Sequence, residues 1–208
     1  MNVITIPVGI YSTNCYILAS NEKSCAVIDP GANAPKIAEI IREKGYTLKH
    51  ILLTHGHWDH TGAIKGLLAQ FAGVDFYVGE QDLELLEDAE KSWAAYRGFS
   101  QEDYFIPGGK PLSEGDTFTL DDLTVSVTCT PGHTFGSVCY ICRDVIFSGD
   151  TLFYENIGRC DLYGGDFGVM KKSIAKLAAL GGQYTVYPGH GQSTTLDHER
   201  KHNPYFKS

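Results

Sequence analysis

The segment Thr54-His55-Gly56-His57-Trp58-Asp59-His60 gathers four side chains able to bind a metal within six residues. In extended chain, residues two apart face the same side, so His55, His57 and Asp59 can converge, and His60 follows from the opening of the next helix. Gly56 removes a side chain where this loop must turn tightly. The chain has 8 histidines, and three of them beside an aspartate at this spacing point to a metal site rather than a polar loop. Three further candidates repeat one pattern, a strand-like apolar run, a glycine and then a ligand. Thr124–Thr128 runs through Pro131-Gly132 into His133, Val145–Phe147 through Ser148-Gly149 into Asp150, and Thr185–Tyr187 through Pro188-Gly189 into His190. With His50–Thr54 leading to His55, four strand ends would deliver ligands to one edge of a rigid scaffold.

Imidazole nitrogens and carboxylate oxygens suit zinc at about 2.0–2.2 Å, and manganese or iron is also accommodated. The candidates exceed the four protein ligands of a structural zinc, and none is a cysteine. Two divalent ions sharing a bridging carboxylate fit the set, each keeping a position open to water. Such ions bring the pKa of water down to near 7. That is the chemistry of hydrolysis, with Asp59 expected both to ligate and to orient the nucleophile.

The elements needed to hold these residues are legible as strands alternating with helices. Early strands are expected at Val3–Val8, Asn14–Leu18 and Cys25–Ile28, the last closing in the turn Asp29-Pro30-Gly31. Ile37, Ile40 and Ile41 give Pro35–Lys44 the spacing of an amphipathic helix ended by Gly45. Helices are also expected over His60–Phe71, from Gln81 to about Lys91, and over Phe167–Leu180, with further strands at Phe76–Val78, Thr117–Leu120, Ser137–Cys142 and Val145–Phe147. Hairpins mixed with helices imply sheets covered by helices rather than one uniform parallel sheet. Ser92–Pro111 has weak periodicity and several aromatics; it reads as a lid beside the site in preference to a surface excursion.

Composition is that of a globular chain, with 43% hydrophobic and 20% charged residues, and 208 residues suit one domain. The net charge of -8 and the lack of a basic run argue against a nucleic acid partner. No apolar run is long enough to span a bilayer, and no export signal opens the chain. Most of the 6 cysteines sit in apolar strand-like runs, where cysteine behaves as a small hydrophobe. Cys139 and Cys142 form C-x-x-C inside a strand, facing opposite ways, which a redox pair would not do. Free thiols without an export signal imply a reducing cytoplasm.

His-x-His-x-Asp-His, Pro-Gly-His, Gly-Asp and a late Gly-His together resemble the metallo-β-lactamase superfamily over essentially the whole chain. The resemblance implies an α/β (α+β) fold, the αββα sandwich of two mixed sheets flanked by helices, with the site along one edge. It implies one ion on His55, His57 and His133, a second on Asp59, His60 and His190, and Asp150 bridging. Gly149-Asp150-Thr151-Leu152-Phe153, Gly158-Arg159-Cys160-Asp161 and Gly164-Gly165-Asp166 are more narrowly similar to short, single-domain members of the glyoxalase II (hydroxyacylglutathione hydrolase) group. That implies a thioesterase acting on S-lactoylglutathione or a related small thioester. The helical domain that follows the site in full-length glyoxalase II is not expected, because the chain ends 18 residues after His190. Arg159 and Tyr154 are candidates for substrate contact; their alternatives are an ion pair and a packed ring. The similar persulfide dioxygenases use one iron, which His55, His133 and Asp150 would hold here, and a lactonase or β-lactamase shares the fold.

Overall fold

The computed structural model describes residues 1–206. Six strands form the first sheet in sequence order: β1 (Asn2–Val8), β2 (Thr13–Ala19), β3 (Ser24–Ile28), β4 (Thr47–Leu52), β5 (Asp75–Gly79) and β6 (Lys110–Leu112). The first three pair antiparallel and β3 to β6 pair parallel. The second sheet contains β7 (Thr117–Leu120), β8 (Leu123–Cys129), β9 (Val138–Cys142), β10 (Val145–Gly149), β13 (Thr185–Pro188) and β14 (Thr194–Thr195), in the order β14-β13-β10-β9-β8-β7. Between β10 and β13, a small hairpin pairs β11 (Leu152–Phe153) with β12 (Asn156–Ile157).

Every residue of β2 and β3 is buried, as expected of strands covered on both faces. Alternation along β2 explains how. Tyr16 and Leu18 join Ala26, Ile28 and Leu52 against Phe118, Val125, Val127, Tyr140 and Phe147 of the second sheet. Cys15, Ile17 and Ala19 point the other way, onto Ile37 and Ile41 of α1 (Ala34–Glu43) and Ile64 and Leu67 of α3 (Ile64–Leu68). On the far side, Cys139, Ile146 and Val186 pack on Met170, Ile174 and Leu177 of α6 (Phe167–Ala178) and Leu196 of α7 (Leu196–His202). The layers are therefore helix, sheet, sheet, helix, and each fully buried Leu, Ile or Phe contributes roughly 1.5–3 kcal/mol.

Two expected helices are shorter than their periodicity suggests. The His60–Phe71 stretch is split into α2 (Trp58–Thr61) and α3, because the Ala63 amide donates to Pro30 at 2.8 Å instead of continuing the helix. Asp59 is thereby held against Gly31, where an added Cβ would sit 1.6 Å from the Asp59 carbonyl oxygen. The Gln81–Lys91 stretch is a single tight turn followed by α4 (Leu83–Glu87). It stops because the Asp88 carboxylate accepts the amides of Glu90 and Lys91 at 2.9 and 3.0 Å, a turn that competes with helix. The aromatic-rich segment after it is ordered, through a turn at Ala95–Arg97, the short α5 (Gln101–Tyr104) and edge strand β6. No helix among the described residues is long and apolar enough to cross a membrane.

Candidate metal centre

The chain crosses to one edge of the sandwich each time it leaves β4, β8, β10 and β13, and His55, His133, Asp150 and His190 follow those strands. β10 and β13 are parallel neighbours, so their ligand ends fall side by side. A register shift between Phe147 and Gly149 bends β10 just before Asp150, the usual way a bulge re-aims a functional side chain. Gly149 takes φ 48, and a Cβ there would strike the Thr54 hydroxyl at 2.2 Å. Gly189 is the tighter position, since its added Cβ would lie 2.1 Å from Asp150 Oδ1 and 2.8 Å from His60 Cε1.

The seven candidate ligands come together as two trios with Asp150 between them. Donor atoms of His55, His57 and His133 lie within 4.8 Å of one another, as do those of Asp59, His60 and His190. Asp150 stands between the trios: Oδ2 is 3.6 Å from Nε2 of His133 and 3.6 Å from Nε2 of His190, and Oδ1 is 3.5 Å from Nε2 of His60. His57 Nδ1 and His133 Nε2 approach to 2.9 Å, and His60 Nε2 and His190 Nε2 to 3.3 Å.

These donors fit metal ions. His55 Nε2, His57 Nε2 and Asp150 Oδ1 are buried without any hydrogen-bond partner, a costly arrangement unless a cation takes them up. Burial, reinforced by the neighbouring rings, pushes His55 and His57 well below their ordinary pKa, so they are the neutral imidazoles that ligation requires. Burial also depresses His60, but the carboxylates of Asp59, Asp150 and Asp29 outweigh it and raise the group to about 10. Asp59 shows the reciprocal balance, with burial raising its carboxyl and the rings of His60 and His190 holding it well below the carboxylate range. Three carboxylates converging on one ring describe a place where positive charge is in demand.

A second layer aims the ligands, and sequence reasoning missed its main members. Asp29, read only as part of a turn, lies just past β3; its Oδ1 accepts the Thr54 amide at 2.7 Å. Its Oδ2 accepts the Thr54 hydroxyl at 2.7 Å and faces His60 Nδ1 at 3.0 Å. Through these contacts Asp29 orients His60 so that Nε2 faces the centre, and its own donor atom also groups with those of His55 and His60. Asp82 accepts the amides of Gly56 and Gly136 at 2.9 and 2.7 Å and the Thr134 hydroxyl at 2.7 Å, tying the His55–His57 loop to the His133 loop. The Arg159 carbonyl faces His133 Nδ1 at 2.8 Å, and the Thr13 hydroxyl donates to Asp59 at 3.0 Å. An aspartate just past an apolar strand is all the sequence offers for them, and it does not name their partners.

The cleft over the centre has a volume of about 380 Å³ and is lined by His57, Asp59, His133, Asp150 and His190 together with Tyr11, Trp58, Trp93, Arg97, Arg159 and Leu162. Two surface depressions elsewhere hold none of these groups. Arg159 is at the cleft and also in the ion pair weighed as its alternative, with Nε and NH2 donating to Asp161 at 2.7 and 2.8 Å. Tyr154 is not brought to the cleft, because its ring stacks on His198 at 4.9 Å. The Ser92–Pro111 segment lies beside the cleft and contributes Trp93 and Arg97 to it.

The metallo-β-lactamase superfamily profile matches residues 8–190, the span from the end of β1 to the last ligand. The chain belongs to that superfamily. It is 36% identical over 211 residues to the hydroxyacylglutathione hydrolase GloC of Haemophilus influenzae, covering 100% of this chain and 99% of that protein. Among solved structures, BLEG-1 B3 metallo-β-lactamase superposes with a TM-score of 0.92 at 34% identity and full coverage of both chains. TTHA1623 in a di-iron-bound form gives 0.83 at 32% identity, covering 97% of this chain and 99% of that one. These likenesses and the donor clusters make the chain a metallo-hydrolase superfamily member with a site for divalent metal ions.

Proposed function

We infer that the protein is a binuclear metal-dependent thioesterase of the glyoxalase II type, acting on S-lactoylglutathione or a related small thioester in the cytoplasm. The observation that carries the binuclear part is Asp150, whose two oxygens reach ring nitrogens of both trios. His55, His57 and His133 would hold one ion, Asp59, His60 and His190 the other, and Asp150 would be shared. Zinc suits this donor set, and the di-iron form of TTHA1623 makes iron the leading rival. A mononuclear iron dioxygenase would need only His55, His133 and Asp150, so it would leave Asp59, His60 and His190 unligated. The thioester part draws on the likeness to the hydroxyacylglutathione hydrolase.

Bound divalent ions supply acidified water and polarise the scissile carbonyl. The chain's own residues do the rest. Asp59, ionised and anchored by the Thr13 hydroxyl at 3.0 Å, faces the cleft and can accept a hydrogen bond from the incoming nucleophile. Trp58, Trp93 and Tyr11 offer flat apolar surface to the substrate body and thin the water over the centre. A thiolate leaves without much help from an acid, in keeping with a cleft lined by no carboxylic acid beyond the ligands. The test is a turnover panel of S-lactoylglutathione, a lactone, a β-lactam and glutathione persulfide with oxygen. The reading expects the thioester to be cleaved with the highest kcat/KM; preferential lactone or β-lactam hydrolysis, or oxygen consumption on the persulfide, would overturn it.

A further inference from the structure

The two guanidinium groups at the cleft are in different states. Arg159 lies 5.1 Å over the Trp93 ring and spends its fork on Asp161, so its charge is compensated locally. Arg97 lies 4.6 Å over the Tyr11 ring and, among the described residues, has no carboxylate partner. Its donors are unspent, and the contact with the Tyr11 ring holds the group at the cleft. The backbone that places it is itself unusual. Trp93 adopts φ 71, a left-handed conformation uncommon for so bulky a residue, and Gly98 at φ 85 closes the turn that carries Arg97. Arg97 is exposed, so its unpaired charge stands in the open mouth of the cleft, within reach of an incoming anion.

We propose that Arg97, and not Arg159, determines substrate specificity, by binding an oxyanion on the part of the substrate remote from the scissile bond, so that the natural substrates are anionic thioesters. The proposal deepens the hydrolase reading and rests on it for the word thioester. The oxyanion is a carboxylate if the thiol is an acidic peptide and a phosphate if it is a nucleotide-bearing thiol; a planar fork suits both.

Binding can be read without turnover, because the 2 tryptophans of the chain, Trp58 and Trp93, both line this cleft. Tryptophan fluorescence of the metal-loaded protein is titrated with S-methylglutathione, with its diethyl ester, and with dethio-coenzyme A. The wild type is expected to bind at least one of the two anionic probes saturably, and which one identifies the carboxylate or phosphate source. Arg97→Gln should weaken that binding by about 10- to 100-fold, Arg97→Lys by less, and Arg159→Gln by less than about threefold. Neutralising the carboxylates in the ester should remove the Arg97 dependence where S-methylglutathione is the ligand. Unchanged binding in Arg97→Gln, a loss that follows Arg159 instead, or no saturable binding of either anion by the wild type would overturn the proposal. Turnover separates the two ideas: Arg97-dependent anion binding without thioester hydrolysis sinks the hydrolase reading alone, and hydrolysis indifferent to Arg97 sinks this one alone.

Discussion

Replacing Gly189 with alanine adds one methyl group directly against the side chains of two candidate ligands, Asp150 and His60. The new Cβ would stand 2.1 Å from Asp150 Oδ1, where ordinary contact begins at 3.4 Å, so some 1.3 Å of displacement is needed. The backbone has little freedom to supply it, since the Gly189 amide donates to Gly149 at 2.8 Å and its carbonyl accepts the Asn14 amide at 2.7 Å. The displacement therefore falls on Asp150 and His60, the carboxylate placed between the trios and a member of the second. Metal–ligand distances tolerate only about 0.2 Å, and a misplacement of about 1 Å near reacting atoms can cost about 100-fold in rate. Gly189→Ala should retain fewer metal ions per chain after dialysis and lose about 100-fold or more in kcat/KM, with far-ultraviolet circular dichroism unchanged. Gly181→Ala is the control, because nothing lies within 4 Å of its added Cβ. A Gly189→Ala protein with full metal content and full turnover would refute the argument that the glycine cradles the centre.

Other perturbations follow from the second layer. Asp82→Ala strips acceptors from two buried amides and a hydroxyl. At about 1.5–3 kcal/mol for each bond to a charged group, less the relief of unburying a carboxylate whose pKa burial pushes up, a loss of about 3 kcal/mol is expected in urea unfolding. Asp29→Asn should lower metal affinity by about 10- to 100-fold in a chelator competition, because His60 loses its charged orienting partner. Burial raises the Cys139 thiol to about 11 and the Cys25 thiol to about 12, which keeps both protonated at pH 8. Cys15 and Cys142 are buried as well, so a disulfide reagent should label at most the half-buried Cys129 and Cys160 promptly in the native protein, and all 6 after denaturation.

Much of the site was legible because its chemistry is concentrated in local sequence. The His55–His60 cluster announces itself by spacing, and the glycine before His133, Asp150 and His190 marks where a strand must end against crowded backbone. The opposed faces of Cys139 and Cys142 were also readable from strand alternation, and the two side chains do lie in different cores. Asp29 and Asp82 were not readable, since their roles come from partners far along the chain, the Thr54 amide for one and Gly136 for the other. The length of the His60–Phe71 helix was overestimated for a similar reason. The Ala63 amide is claimed by Pro30, a tertiary bond that no periodicity records. Tyr154 was drawn toward the site by nearness in sequence to Asp150, yet the β11–β12 hairpin carries it to His198.

The most direct test of a shared-carboxylate, two-ion centre is metal content per chain, measured on freshly purified protein together with turnover before and after chelation. About two divalent ions per chain are expected, with loss of thioester hydrolysis when they are removed, recovery when zinc is returned, and about one fewer ion in Asp150→Ala. A single iron per chain, with oxygen uptake on a persulfide and no thioester hydrolysis, would contradict the two-ion centre.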